Sequence, residues 1–295
     1  MSLRPTLLCI ALALGASLAG AGTLDKAKEA GKITLGYSID TRPYSSSAGG
    51  GKPLGYAIDL CDKVAEGLKT ELKLPALQVD YVGVSREEAF TAVQQGKIDL
   101  LCAAVPTLER RALVDFSIPI MLSGTGVAVR RDAPTRVLQA ISGAPGTGPA
   151  WRGSMDVAPQ RARVAVVGGT PIEQAALSAM KQKHLVVDTV QVPDTAAGLE
   201  LLATHKADVF FQDRAQLLDA ITRRGGNDLV VAGRTFRRDV VAMAMRRDDD
   251  DFRLLVDRAL SRHFRSGDQA SLYTRYFGSP TQEAADFFKL VAFPD

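Results

Sequence analysis

Two short stretches of this 295-residue chain carry residue types that can hold a small anion, and a third ends a strand in charge. The first is Thr107-Leu108-Glu109-Arg110-Arg111, which follows the apolar run Leu100–Val105 across Pro106. An arginine there can fork two hydrogen bonds onto one carboxylate, a geometry lysine does not match. By residue type alone the same cluster also reads as a solvated helix start. The second stretch is Gly168-Gly169-Thr170-Pro171, which opens a segment of helical pattern. Proline suits a first helical turn, and a helix start that leaves backbone N–H groups pointing outward favours an anion. No Lys-Ser/Thr pair follows, so a carboxylate is a better guest than a phosphate. The third stretch is Phe210-Phe211-Gln212-Asp213-Arg214, whose charges by themselves read as an ordinary pair opening a helix.

Such groups need a scaffold, and open α/β sheets place ligands outside the carboxyl ends of their strands. Leu100–Val105 has the length and continuous apolarity of a strand covered on both faces. Around it, strands at Lys32–Tyr37 and Leu77–Val84 alternate with helices. One helix opens at Gly55, with Asp59 reading as its N-cap and apolar residues at 57, 61, 64, 65, 68 and 72, and another spans Arg86–Gln95. Met121–Arg130 reads as a crossing to a second unit. There strands at Arg163–Val167, Val186–Val192 and Ala207–Ala215 alternate with helices from Pro171 to about Lys183 and at Thr195–Thr204. Leu229–Val231 and Asp239–Met245 return the chain, helices Phe252–Ser266 and Gln269–Phe277 rejoin the first unit, and the residues after them read as a C-terminal tail to Asp295. Alternation of this kind predicts βαβ units and an α/β fold with parallel strands.

The N-terminus reads as a cleaved leader over 1–21. Arg4 precedes the apolar stretch Leu7–Leu14 and the small residues Ala19-Gly20-Ala21, and the stretch is shorter than a bilayer span. The mature chain is therefore expected outside the cytoplasm. The full 295-residue sequence has a net charge of +3 and 6% aromatic content, which supply no electrostatic footprint for nucleic acid. The run Arg246–Asp251 reads as solvated charge, and the three scattered histidines do not suggest a metal site. Residues 142–159, rich in Gly and Pro and holding Trp151, read as a surface loop. Once Cys9 leaves with the leader, Cys61 and Cys102 remain, an even pair in an oxidising compartment. They are expected to form a disulfide; two buried free thiols are the alternative.

The run D-L-L-C…T-L-E-R-R…V-D-F-S-I-P within 98–119 resembles the signature of the bacterial periplasmic polar amino-acid-binding proteins, the receptors of ABC importers. The likeness runs from Leu24 to the C-terminus and is greatest to the glutamate/aspartate branch. It implies the two-lobed type II periplasmic-binding-protein fold, with 22–124 and 238–295 as one lobe and 125–237 as the other. It also implies a hinged cleft that closes on a free amino acid. In this resemblance Arg110 clamps the α-carboxylate and Thr170 supports it. Asp213 pairs with the α-ammonium, and Thr107 and the backbone at Val105 complete the polar shell. Tyr44, which sits in a polar Gly-rich loop and is expected to have little core to bury in, packs on the ligand. The implied partner is a membrane permease, the chain is expected to act as a monomer, and no cofactor is implied. Two departures bear on the ligand. The turn at Val105–Thr107 is one residue shorter than the pattern, with Pro106 where a hydroxyl residue is usual. Ser38 and Ala89 stand where the acidic branch has arginines, although Arg42 or Arg86 can substitute. Rival readings are an enzyme resembling cyclohexadienyl dehydratase, with Glu173 as its acid, and a ligand sensor without transport.

Overall fold

Helix α1 (Thr23–Ala30) leads into β1 (Lys32–Ser38), the small hairpin β2 (Asp40–Thr41) and β3 (Ser45–Ser46), and helix α2 (Tyr56–Glu71). Strand β4 (Gln78–Val84), α3 (Ala89–Gln94), β5 (Leu100–Ala104), the one-turn α4 (Leu108–Arg111) and the long β6 (Asp115–Arg130) follow. Next come α5 (Thr135–Ser142), β7 (Ala162–Val167), α6 (Pro171–Gln182), β8 (Val187–Val192), α7 (Thr195–Ala203) and β9 (Val209–Asp213). The chain ends with α8 (Arg214–Arg224), β10 (Leu229–Val231), β11 (Arg237–Met245), α9 (Asp250–Arg265), α10 (Asp268–Phe277) and α11 (Gln282–Val291). This computed structural model describes residues 22–47, 49–50, 52–142, 161–182 and 187–294. The expected leader at 1–21 and most of the Gly/Pro-rich loop, Trp151 included, lie outside the described residues.

The main sheet runs β4-β1-β5-β11-β6-β9-β7-β8, with β10 added on β6. Strand β1 is parallel to β4 and β5, and β7 is parallel to β8 and β9, as the βαβ alternation requires. Two long antiparallel strands join these parallel sets. Asp115–Thr125 of β6 pairs with Arg237–Met245 of β11. Near Thr125 strand β6 changes partner: 125–128 face β9, and 128–130 face β10. The crossing strand thus begins six residues before the expected Met121, because Asp115, Phe116 and Pro119 also find ladder partners in the returning strand.

Packing explains the periodicities. The apolar positions Ala57, Cys61, Val64, Ala65 and Leu68 of α2 are all buried, and join Ile33, Leu35, Leu100, Phe252 and Leu260 in the largest core. Each fully buried Leu or Val there contributes about 1.5–3 kcal/mol. In the β7–β9 set, alternate residues of one strand serve opposite faces. Val164, Val166 and Phe211 enter one core, and Ala165, Val167 and Phe210 the other. That double burial is why Val209–Phe211 reads as an unbroken apolar run. Helix α7 lies so close to this sheet that a Cβ on Gly198 would sit 2.3 Å from the Phe210 ring.

Cys61 on α2 and Cys102 on β5 form the expected disulfide, with Cα atoms 5.8 Å apart. It ties the first long helix to the strand that leads into the arginine turn. Three expectations need correction. Asp59 does not cap α2: the cap is Gly55, and Asp59 accepts from Arg275 Nη1 and Tyr276 Oη, each at 2.9 Å, fastening α10. The run Arg246–Asp251 is not wholly solvated: Asp249 is buried and accepts at 2.8 Å from the Thr23 N–H, anchoring the start of α1. The residues beyond Phe277 are not a plain tail but include α11, capped by Thr281 and packed through Phe288.

Candidate functional site

The carboxyl ends of β1, β5 and β9 converge, with the start of α6 and the crossing strands, on a cavity of about 140 Å³. Five of the six sequence-predicted residues line it: Tyr44, Val105, Arg110, Thr170 and Asp213. They come from two sides. Tyr44, Val105 and Arg110 follow strands of the first parallel set, and Thr170 and Asp213 follow strands of the second.

Arg110 is held by its own turn. Thr107 caps α4 by accepting the Arg110 N–H at 3.1 Å, and Arg110 Nη1 donates back to the Val105 carbonyl at 2.8 Å. The guanidinium also stacks 4.9 Å from the centroid of the Phe90 ring. Burial and the neighbouring Arg86 both push the Arg110 pKa down from its ordinary value. Two arginines on one wall repel each other, and a bound anion relieves that repulsion. Thr107 itself is not on the cavity wall; it faces an adjoining depression, because its hydroxyl serves the cap. Here the structure departs from the expected ligand shell.

Asp213 sits opposite in character. The carboxylate is buried and caps α8 by accepting the Gln216 N–H at 3.0 Å. It also accepts from Ser123 Oγ of the crossing strand and, at 3.4 Å to each oxygen, from Tyr44 Oη. Burial is the main influence on it and raises its pKa, since the charged form loses solvation. Among the described residues no basic side chain pairs with it, and none of the acids pairs with Arg110. The Tyr44 contact joins the two sides of the cavity. Tyr44 was expected to have little core to bury in, but it is only 3% exposed and packs on Phe277 at 5.9 Å between ring centroids. Gly55 makes this possible. Its φ of 144° suits glycine, and a Cβ there would lie 2.2 Å from the Tyr44 carbonyl oxygen.

The start of α6 is more occupied than its composition suggests. Thr170 Oγ1 donates to the Val167 carbonyl at 2.8 Å and accepts the Glu173 N–H at 3.2 Å. Glu173 in turn accepts from the Gly169 N–H at 2.9 Å and from Gln191 Nε2 at 2.6 Å, a capping arrangement. The Gly169 N–H therefore does not point out freely, and Glu173 is spent on the helix start. Of the two possible substitute arginines, Arg86 lines the cavity, whereas Arg42 lies 3.7 Å from Asp219 and lines a separate groove. Sequence reading missed Ser123, Thr125 and Gln212, which also line the cavity. Their signal was faint: single polar residues within otherwise apolar strands, meaningful only once β6 and β9 are known to be neighbours.

A family model described as "Bacterial extracellular solute-binding proteins, family 3" matches residues 33–279. The chain is 29% identical over 88% of its length to the L-glutamate/L-aspartate-binding protein of Pseudomonas aeruginosa, of which it covers 81%. It is 24% identical over 92% of its length to the L-cystine-binding protein TcyJ of Escherichia coli K12, of which it covers 93%. Among solved structures it resembles the ancestral amino acid-binding protein AncCDT-1, described as a precursor of cyclohexadienyl dehydratase. The TM-score is 0.69 and the identity 23%, over 87% of this chain and 100% of the other. That likeness shows the fold, a two-lobed one built on a mixed sheet.

Proposed function

Because the chain belongs to the bacterial extracellular solute-binding proteins, family 3, we propose that it is the receptor of an ABC importer and captures a free α-amino acid between its lobes. One observation carries the reading. Arg110 and Asp213 face one small cavity from opposite lobes, and neither is ion-paired among the described residues. A charge taken out of water without a partner is costly, and a zwitterion supplies both partners at once. Arg110 would hold the α-carboxylate and Asp213 the α-ammonium, with the Val105 carbonyl and the start of α6 at Thr170 beside them and Tyr44 closing one wall. Arg86 on the same wall favours a second carboxylate, and so an acidic side chain. The named ligands of the Pseudomonas relative support that preference.

The lobe limits at 124/125 and 237/238 belong to this reading, supported by the change of partner on β6 near Thr125. So do a periplasmic location after removal of 1–21, a permease as the partner and action as a monomer. Among the described residues no helix is long and apolar enough to cross a membrane. The enzyme alternative is weakened because its one candidate acid, Glu173, is engaged by Gly169 and Gln191. The named relatives are binding proteins.

Calorimetric titration with each of the twenty L-amino acids and with their amine-free carboxylate analogues tests this reading. At least one amino acid should bind, and Asp213→Asn should weaken it about 10- to 100-fold while leaving amine-free carboxylates nearly untouched, since a hydrogen bond to a charged group contributes about 1.5–3 kcal/mol. Binding of amine-free carboxylates alone would remove the amino-acid assignment.

A further inference from the structure

Beside Asp213 lies a hydroxyl whose use the ligand scheme above leaves open. Thr125 faces Asp213 directly across the β6–β9 pair, so both side chains leave the same face of the sheet. Ser123, two residues earlier on that face, spends its hydroxyl on the Asp213 carboxylate. Thr125 does not. It lines the cavity and is 1% exposed, and its Oγ1 has no hydrogen-bond partner among the described residues. Buried hydroxyls are ordinarily paired, because an unpaired one keeps the full cost of leaving water.

The backbone holds this hydroxyl in place. The Thr125 carbonyl accepts the Phe236 N–H at 2.8 Å. A Cβ on Gly124 would meet Thr235 at 2.4 Å, and one on Gly126 would meet Arg214 at 3.1 Å, so β6 is packed tightly on both sides of Thr125. Asp213 meanwhile has little accepting capacity to spare. Its carboxylate offers about four lone-pair sites and already receives Ser123, Gln216 and Tyr44. A primary ammonium brings three N–H donors, more than Asp213 alone can take.

Resting on the amino-acid reading above, we propose that Thr125 Oγ1 accepts a second hydrogen bond from the ligand's α-ammonium, next to Asp213, and so selects primary amines over N-alkylated ones. The residue is a specificity determinant supplied by the crossing strand itself.

The test uses whichever of the twenty L-amino acids the wild-type protein binds most tightly, together with its N,N-dimethyl derivative. Thr125→Val keeps the shape and removes the hydroxyl; Thr125→Ser keeps the hydroxyl. Calorimetry should show Thr125→Val binding the primary amine about 10- to 100-fold more weakly, with Thr125→Ser within about threefold of wild type. The preference for the primary amine over the dimethyl derivative should shrink by the same factor in Thr125→Val. The thermal midpoint of ligand-free Thr125→Val should not fall, which separates recognition from a structural role. Wild-type affinity in Thr125→Val, or an unchanged preference between the two amines, would overturn the proposal while leaving the amino-acid reading intact. A wild-type protein that binds no amino acid would overturn both.

Discussion

Arg110→Ala is expected to weaken binding of the cognate amino acid by at least 10²-fold, measured by calorimetry on the exported protein. Truncating one member of a buried hydrogen-bonded charge pair costs about 2–5 kcal/mol, much of it from the partner charge left without compensation. The site leans on this residue in particular. Its turn is preformed by the Thr107 cap, the Val105 carbonyl and the Phe90 ring, so little side-chain entropy is lost when a carboxylate arrives. Arg110→Lys should recover only part of the loss, because an ammonium offers a point charge and not a planar fork. Unchanged ligand-free thermal stability in both variants would assign the loss to recognition. Near wild-type affinity in Arg110→Ala would mean that Arg86, the other arginine on that wall, holds the carboxylate.

Breaking the Cys61–Cys102 bridge should produce the largest stability effect. The bridge closes a sequence separation of 41 residues, for which chain entropy predicts about 4 kcal/mol. Urea titration of the exported protein with and without reductant, and of Cys61→Ala/Cys102→Ala, should show the midpoint fall in both cases. Binding should persist below the transition, because neither cysteine lines the cavity. Two thiols that react with an alkylating agent in the unreduced, natively exported protein would contradict the bridge. A midpoint shift without loss of affinity would place the disulfide in the scaffold, at the seam between α2 and the strand that delivers Arg110.

What the chain alone determined was local. Burial periodicity is a property of a single element, so α2 could be read from positions 57, 61, 64, 65 and 68 before any fold was known. The apolar runs of β5 and β9 were legible for the same reason, since a strand covered on both faces has no polar side to show. Arg110 was legible as an arginine just beyond a buried strand, but its residue type left a solvated helix start equally open, and only the family resemblance assigned it the carboxylate. The cysteine pair followed from counting.

Tertiary structure decided everything that depends on which elements become neighbours. Asp59 and Asp249 looked like a cap and a solvated charge because their partners, Arg275 with Tyr276 and the Thr23 N–H, lie more than 200 residues away in sequence. Thr107 looked available for a ligand and Glu173 for acid chemistry, but each accepts a backbone N–H at its own helix start, and local hydrogen bonds claim such side chains first. Tyr44, in a polar loop, is buried only because Gly55 lets α2 approach and Phe277 arrives from the far end of the chain. Ser123 and Thr125 acquire meaning only when β6 pairs with β9 and sets them against Asp213. Register between strands far apart in sequence is a long-range quantity, and no window of residues along one strand contains it.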